Sequence, residues 1–75
     1  MNVIVEICYD RLGDSRRRDN QQIKSLSQKH KFAKLLVEQG HTNLTLYYNP
    51  YDKYGDIIEN KQKIWKYENG KFREI

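Results

Sequence analysis

One cysteine, one proline and four glycines are all that the 75-residue sequence contains of these types. A lone Cys8 excludes an internal disulfide and a four-thiolate zinc site, and it points to a reducing compartment. Long hydrophobic runs are missing too; nothing approaches the ~18 consecutive apolar residues that span a bilayer. The opening "MNVIVEICYDR" has neither the basic start nor the cleavage site of a secretory leader, so a soluble, cytoplasmic chain is expected. Also absent are G-x-S-x-G, a Walker glycine loop, G-x-G-x-x-G, internal repeats and low-complexity tracts. His30 and His41 are the only histidines, with no Cys or Asp cluster beside them, so no metal-ligand pattern, catalytic set or cofactor is expected.

What is present is polar and aromatic at once: 32% charged residues and a net charge of +4, with six Tyr, two Phe and one Trp. The rings argue for a packed core rather than disorder. The length limits that core to one small domain, expected over 1–75, burying about 60–65% of its unfolded surface.

"NVIVEICY" alternates Val3, Val5, Ile7 and Tyr9 against Ile4, Glu6 and Cys8, the period of a strand. The apolar residues on its second side suit an interior place in a sheet. After a loop, Asp19 and Gln22 resemble a capping box ahead of Ile23. One amphipathic helix is therefore expected from about residue 19 to Gly40, roughly 30 Å long at 1.5 Å per residue. Its apolar side is Ile23, Leu26, Phe32, Ala33, Leu36 and Val37. Ser25 with Gln28 offers a second start signal and permits a break near residue 25.

"NLTLYY" reads as the next strand, with Leu44, Leu46 and Tyr48 on one face, and "NPYDKYGD" as turn chemistry. Ile57 and Ile58 form an optional short strand. In "KIWKYENGKFREI", Asn69-Gly70 between alternating runs signals a two-residue hairpin. Its register places Tyr67 opposite Phe72 and Trp65 opposite Glu74. The fold class is then α+β: one helix on a small mixed or antiparallel sheet, in the order β-α-β-(β)-β-β, closed by a C-terminal hairpin.

The stretch "GDSRRRDNQQ" is the most conspicuous run. Arg11, Arg16, Arg17 and Arg18 face Asp10, Asp14 and Asp19, leaving one positive charge in excess, and the acids damp any phosphate field. Lys24, Lys31 and Lys34 gather on one side of the expected helix, where Arg16–Arg18 would extend them into a cationic band. Tyr47, Tyr48, Tyr51 and Tyr54 cluster nearby in sequence; exposed Tyr beside cations suits base stacking and protein hot spots equally.

The expected function is non-enzymatic binding that occludes a nucleic acid or nucleoprotein complex, through Arg16, Arg17, Arg18, Lys24, Lys31, Lys34, Tyr51 and Tyr54. The partner is anionic, either nucleic acid or an acidic protein surface; no membrane is involved, and the oligomeric state stays open. Lys, Asn and Tyr richness with little Ala suggests an AT-rich genome, and a free-standing domain of this size is a common format of phage and mobile-element products, so an inhibitor of host defence of the anti-CRISPR kind is expected. Two alternatives stand beside it: a histidine-independent ribonuclease and a homo-oligomeric assembly module. The order strand–helix–strands loosely resembles the mRNA-cleaving toxins of toxin–antitoxin pairs. The opening strand running into "YDRLGDSRRR" is a little similar to the start of the Cas2 nucleases. No motif of either is matched residue by residue, and neither family is assigned.

Overall fold

Alternating β-branched residues make β1, Asn2–Asp10, and the first departure from expectation comes directly after it. In the computed structural model, which describes residues 2–75, the chain turns back through a 3-10 turn at Arg11–Gly13 into a second strand, β2, Arg18–Ile23. A 3-10 turn at Leu26–Gln28 leads into α1, Lys29–Glu38. Then follow β3, Thr42–Tyr51; a 3-10 turn at Glu59–Lys61; β4, Lys63–Glu68; and β5, Lys71–Glu74. The strands form a five-stranded sheet in the order β2-β1-β3-β4-β5, every neighbouring pair antiparallel. The fold is α+β, with one α-helix against an antiparallel sheet.

The helix expected from about residue 19 is therefore shorter, and residues 18–23 are a strand. That segment carries one apolar residue, Ile23, too few for a helical stripe; as a strand it satisfies its backbone against β1 and still places Ile23 in the core. The later signal lies nearer the true start. Even so, Ser25 makes no capping bond to the backbone; its Oγ meets Ser27 Oγ at 2.6 Å. The extra strand of the sheet thus precedes the helix, while Ile57 reaches only an isolated bridge to Tyr51.

The helix ends as its sequence requires. Gly40 has φ 93°, its N–H donates to the Val37 carbonyl, and the His41 N–H donates to the Leu36 carbonyl, both at 3.0 Å. Those two bonds are a Schellman closure. Asn69 and Gly70 both have positive φ, as a type I′ turn demands, and set Tyr67 against Phe72 and Trp65 against Glu74, as expected.

Strand parity then sorts the side chains. Val5, Ile7 and Tyr9 of β1, Ile23 of β2, and Leu44 and Leu46 of β3 meet Ala33 and Leu36 of α1 in the core. Leu26, Phe32, Tyr48, Trp65, Tyr67 and Phe72 pack around it. Val37, placed on the apolar stripe by its spacing, stays 49% exposed, because it lies at the flank of the helix, well round from the buried side of Ala33 and Leu36.

The outer border of β2 is chemically closed at one point. Arg11 donates to the Arg17 carbonyl, so the alternation of an antiparallel ladder directs the Asn20 N–H away from β1. Asp19 Oδ1 accepts that N–H at 2.8 Å.

Candidate functional site

The arginine run lies in the connection between β1 and β2 and at the first residue of β2, outside any helix. Leu12 and Gly13 take left-handed φ values of 51° and 79° to turn the chain. Asp14 organises the remainder: its Oδ1 accepts the Arg16 N–H at 3.0 Å and Arg16 Nε at 3.2 Å, and its Oδ2 lies 3.7 Å from Arg17 Nε. With side chains 89% and 73% exposed, Arg16 and Arg17 hold these pairs weakly, at about 0–1 kcal/mol. Both guanidiniums are free to exchange Asp14 for another anion.

Arg18 differs. Its Nη1 donates to Asp10 Oδ1 at 2.7 Å, and Asp10 is 6% exposed, its Oδ2 also accepting from Asn43 Nδ2 at 3.3 Å. This contact ties the two strands of the hairpin and the start of β3 together. The hairpin connection is also held from the helix end: Leu12 N–H donates to His41 Nδ1 at 3.0 Å, and the His41 ring lies 4.5 Å from that of Tyr9.

Lys24 follows β2, while Lys31 and Lys34 lie on the side of α1 turned from the sheet; all three are exposed. Among the described residues none of the three has a carboxylate within 4 Å. Lys29 belongs elsewhere, its Nζ 5.2 Å from the centre of Trp65 and 5.4 Å from that of Phe72. The continuous band expected along one helix is divided. The arginine connection meets the C-terminal end of α1, and Lys24 lies at the other end of β2, about 20 Å away at 3.3 Å per residue.

Tyr51 and Tyr54 also separate. Tyr54, 77% exposed, sits in a turn where Asp52 Oδ1 accepts the N–H groups of Tyr54 and Asp56 at 2.8 and 3.0 Å. Lys53 Nζ stands 5.1 Å from the Tyr54 ring. Tyr51 is half-buried at the end of β3, and its parity places it on the sheet face opposite the helix.

That face is the surface the sequence revealed least. Parity assigns it Ile4, Glu6 and Cys8 from β1; Thr45, Tyr47, Asn49 and Tyr51 from β3; and Ile64, Lys66 and Glu68 from β4. Arg73 of β5 joins them opposite Lys66. Ile4 and Ile64 remain 36% and 37% exposed, and Tyr47 is half-buried. The available signal was the apolar character of Ile4 and Cys8 on the second side of β1, together with the odd-numbered tyrosines of β3.

Other reactive groups have ordinary structural partners. His30 meets Phe72 edge-on at 5.1 Å. Burial pushes the Cys8 thiol above its usual range, Glu6 adds to the shift and Arg18 opposes it, so Cys8 is a protonated thiol at neutral pH. Among the described residues, no three His, Cys, Asp or Glu side chains gather to hold a metal ion, and no helix is long and apolar enough to cross a membrane. No protein-family model, curated protein or solved structure matches the chain.

Proposed function

We propose that the chain is a binding protein for nucleic acid, which it occludes by contacting the phosphate backbone. The observation that supports this reading is the set Lys24, Lys31 and Lys34, exposed and without a carboxylate within 4 Å, in a chain of net charge +4. Arg16 and Arg17 add two cations whose present partner is weakly held. Phosphate contacts of this kind give affinity and position without reading sequence. The setting proposed is the cytoplasm, in keeping with the free thiol of Cys8.

Counterion release supplies the test. Each neutralised phosphate of a single strand contributes about −0.7 to the slope of log K against log salt, and about −0.9 on duplex DNA. Replacing Lys24, Lys31 and Lys34 together by alanine is expected to flatten the single-strand slope by about 2 units. Fluorescence anisotropy of labelled oligonucleotides across a salt series reads this directly. No binding even at about 50 mM salt, where such contacts are strongest, rejects the reading.

A further inference from the structure

We propose that the uncovered face of the sheet is a stacking platform for the unpaired bases of a single-stranded nucleic acid. This deepens the nucleic-acid reading above and rests on it, but it uses a different surface.

The ladder register arranges the face in rows. One crosses the strands as Gln22, Glu6, Tyr47 and Ile64; the next as Asn20, Cys8, Thr45, Lys66 and Arg73. Tyr47 thus lies on the central strand, with Ile64 directly opposite on β4. Tyr51 is on the same face of β3, about 13 Å further along at 3.3 Å per residue, so the two rings serve different bases of one strand. Ile4, paired with Asn49, gives an apolar floor on the β1 side. Asn49 is held in turn, its Oδ1 accepting from Gln62 Nε2 at 2.9 Å.

Cations lie in the row next to Tyr47. Lys66 and Arg73 share Glu68, at 3.7 and 3.5 Å, and all three side chains are at least 40% exposed. Such pairs are weak enough for a phosphate to displace Glu68. Within the platform, Glu6 Oε2 accepts from Asn20 Nδ2 at 2.8 Å, and a carboxylate so placed also accepts from the exocyclic amino groups of bases. Rings, nearby cations and amide or carboxylate acceptors are the parts from which single strands are bound on β-sheet surfaces.

The same chemistry disfavours other occupants. A second copy packed face to face would take Glu6, on the interior strand β1, and Lys66, on β4, out of water, a desolvation that such a contact repays poorly. An acidic protein surface supplies anions for Lys66 and Arg73 but not a regular succession of flat rings, which every nucleotide of a single strand carries. A duplex keeps its bases stacked on each other and presents none to this face.

The experiment measures anisotropy of a labelled 12-nucleotide single strand, the matching duplex and a polyglutamate control against the full chain. Expected is preference for the single strand, lost by roughly 5- to 150-fold for each of Tyr47→Ala and Tyr51→Ala and kept in Tyr47→Phe and Tyr51→Phe, which preserve the ring. Circular dichroism melts confirm folding of each variant; if an alanine variant is unfolded, Tyr→Leu at the same position replaces it, removing the aromatic plane while keeping apolar bulk. Equal binding of single strand and duplex, with full sensitivity to loss of Lys24, Lys31 and Lys34, overturns the platform and leaves the backbone-binding reading intact. Equal binding of polyglutamate overturns it as well, as does a dimer in light scattering that dissociates on Tyr47→Ala. Failure to bind any oligonucleotide removes both proposals together.

Discussion

Removing the Asp10 carboxylate is the sharpest probe of what the arginine run does. Asp10 is 6% exposed and accepts two side-chain bonds, one from Arg18 at 2.7 Å and one from Asn43 at 3.3 Å. A hydrogen bond involving a charged group contributes about 1.5–3 kcal/mol when shielded. Arg18 retains 42% of its side-chain exposure, so water partly replaces its lost partner and the lower end of that range applies. The longer Asn43 contact adds about 0.5 kcal/mol. Asp10→Ala is therefore expected to lose about 2 kcal/mol and Arg18→Ala about 2–3 kcal/mol, because the latter leaves a buried carboxylate with Asn43 alone. The double variant should fall short of their sum by about 1 kcal/mol, the coupling of a direct pair. Urea titration followed by Trp65 fluorescence measures all three, with midpoints falling by about 1 M for the larger losses. Arg18→Ala should also leave the salt slope of oligonucleotide binding unchanged, because its guanidinium is already committed to the fold. A coupling under about 0.3 kcal/mol, or a slope that drops with Arg18, would refute the division between a structural Arg18 and exchangeable Arg16 and Arg17.

Gly70→Val places a β-branched residue at φ 76°, with no atom nearby to clash but a backbone region it rarely enters. A loss of about 1–2 kcal/mol is expected, seen as a lower melting temperature, and an unchanged midpoint refutes the type I′ turn. Leu46→Ala, at a fully buried position in the central strand, should cost about 2–5 kcal/mol by chemical denaturation. Cys8 has its folded pKa raised, so the folded state holds the thiol proton more tightly than the unfolded chain does. Its contribution to stability is complete below the unfolded value and is lost as pH rises through the folded one. Iodoacetamide should accordingly label the native protein more slowly than the urea-unfolded chain across pH 7–9, and equal rates would contradict that shift.

The C-terminal hairpin was legible residue by residue because Asn69-Gly70 fixes a turn type and the turn fixes the register. The helix end was legible for a similar reason: Gly40 supplies a local conformation that no packing decision alters. The helix start was not. Residues 18–23 have weak local preference, and what makes them a strand is β1, whose border away from β3 was available for pairing. Cationic positions could be read from the sequence as exposed, yet the pairing of Arg18 with Asp10 depends on a hairpin that sequence reasoning had assigned to a helix. Tyr51 and Tyr54 were near in sequence and separated by the end of β3, one on the sheet face and one in a turn. The parity of Ile4, Tyr47 and Ile64 was in the sequence all along. That they share an uncovered face became visible only once the helix was seen to pack on the other side.

The carboxylate of Asp19 gives the two margins of the sheet unequal receptivity to strand growth. An extended segment approaching β2 would find the amide of Asn20 already engaged and would meet a negative charge in its place, whereas among the described residues no side chain accepts from an amide of β5. Asp19→Ala would free that amide on the border of a strand rich in side-chain amides, Asn20, Gln21 and Gln22. One exposed acid thereby makes the β2 margin a poorer template for a further strand.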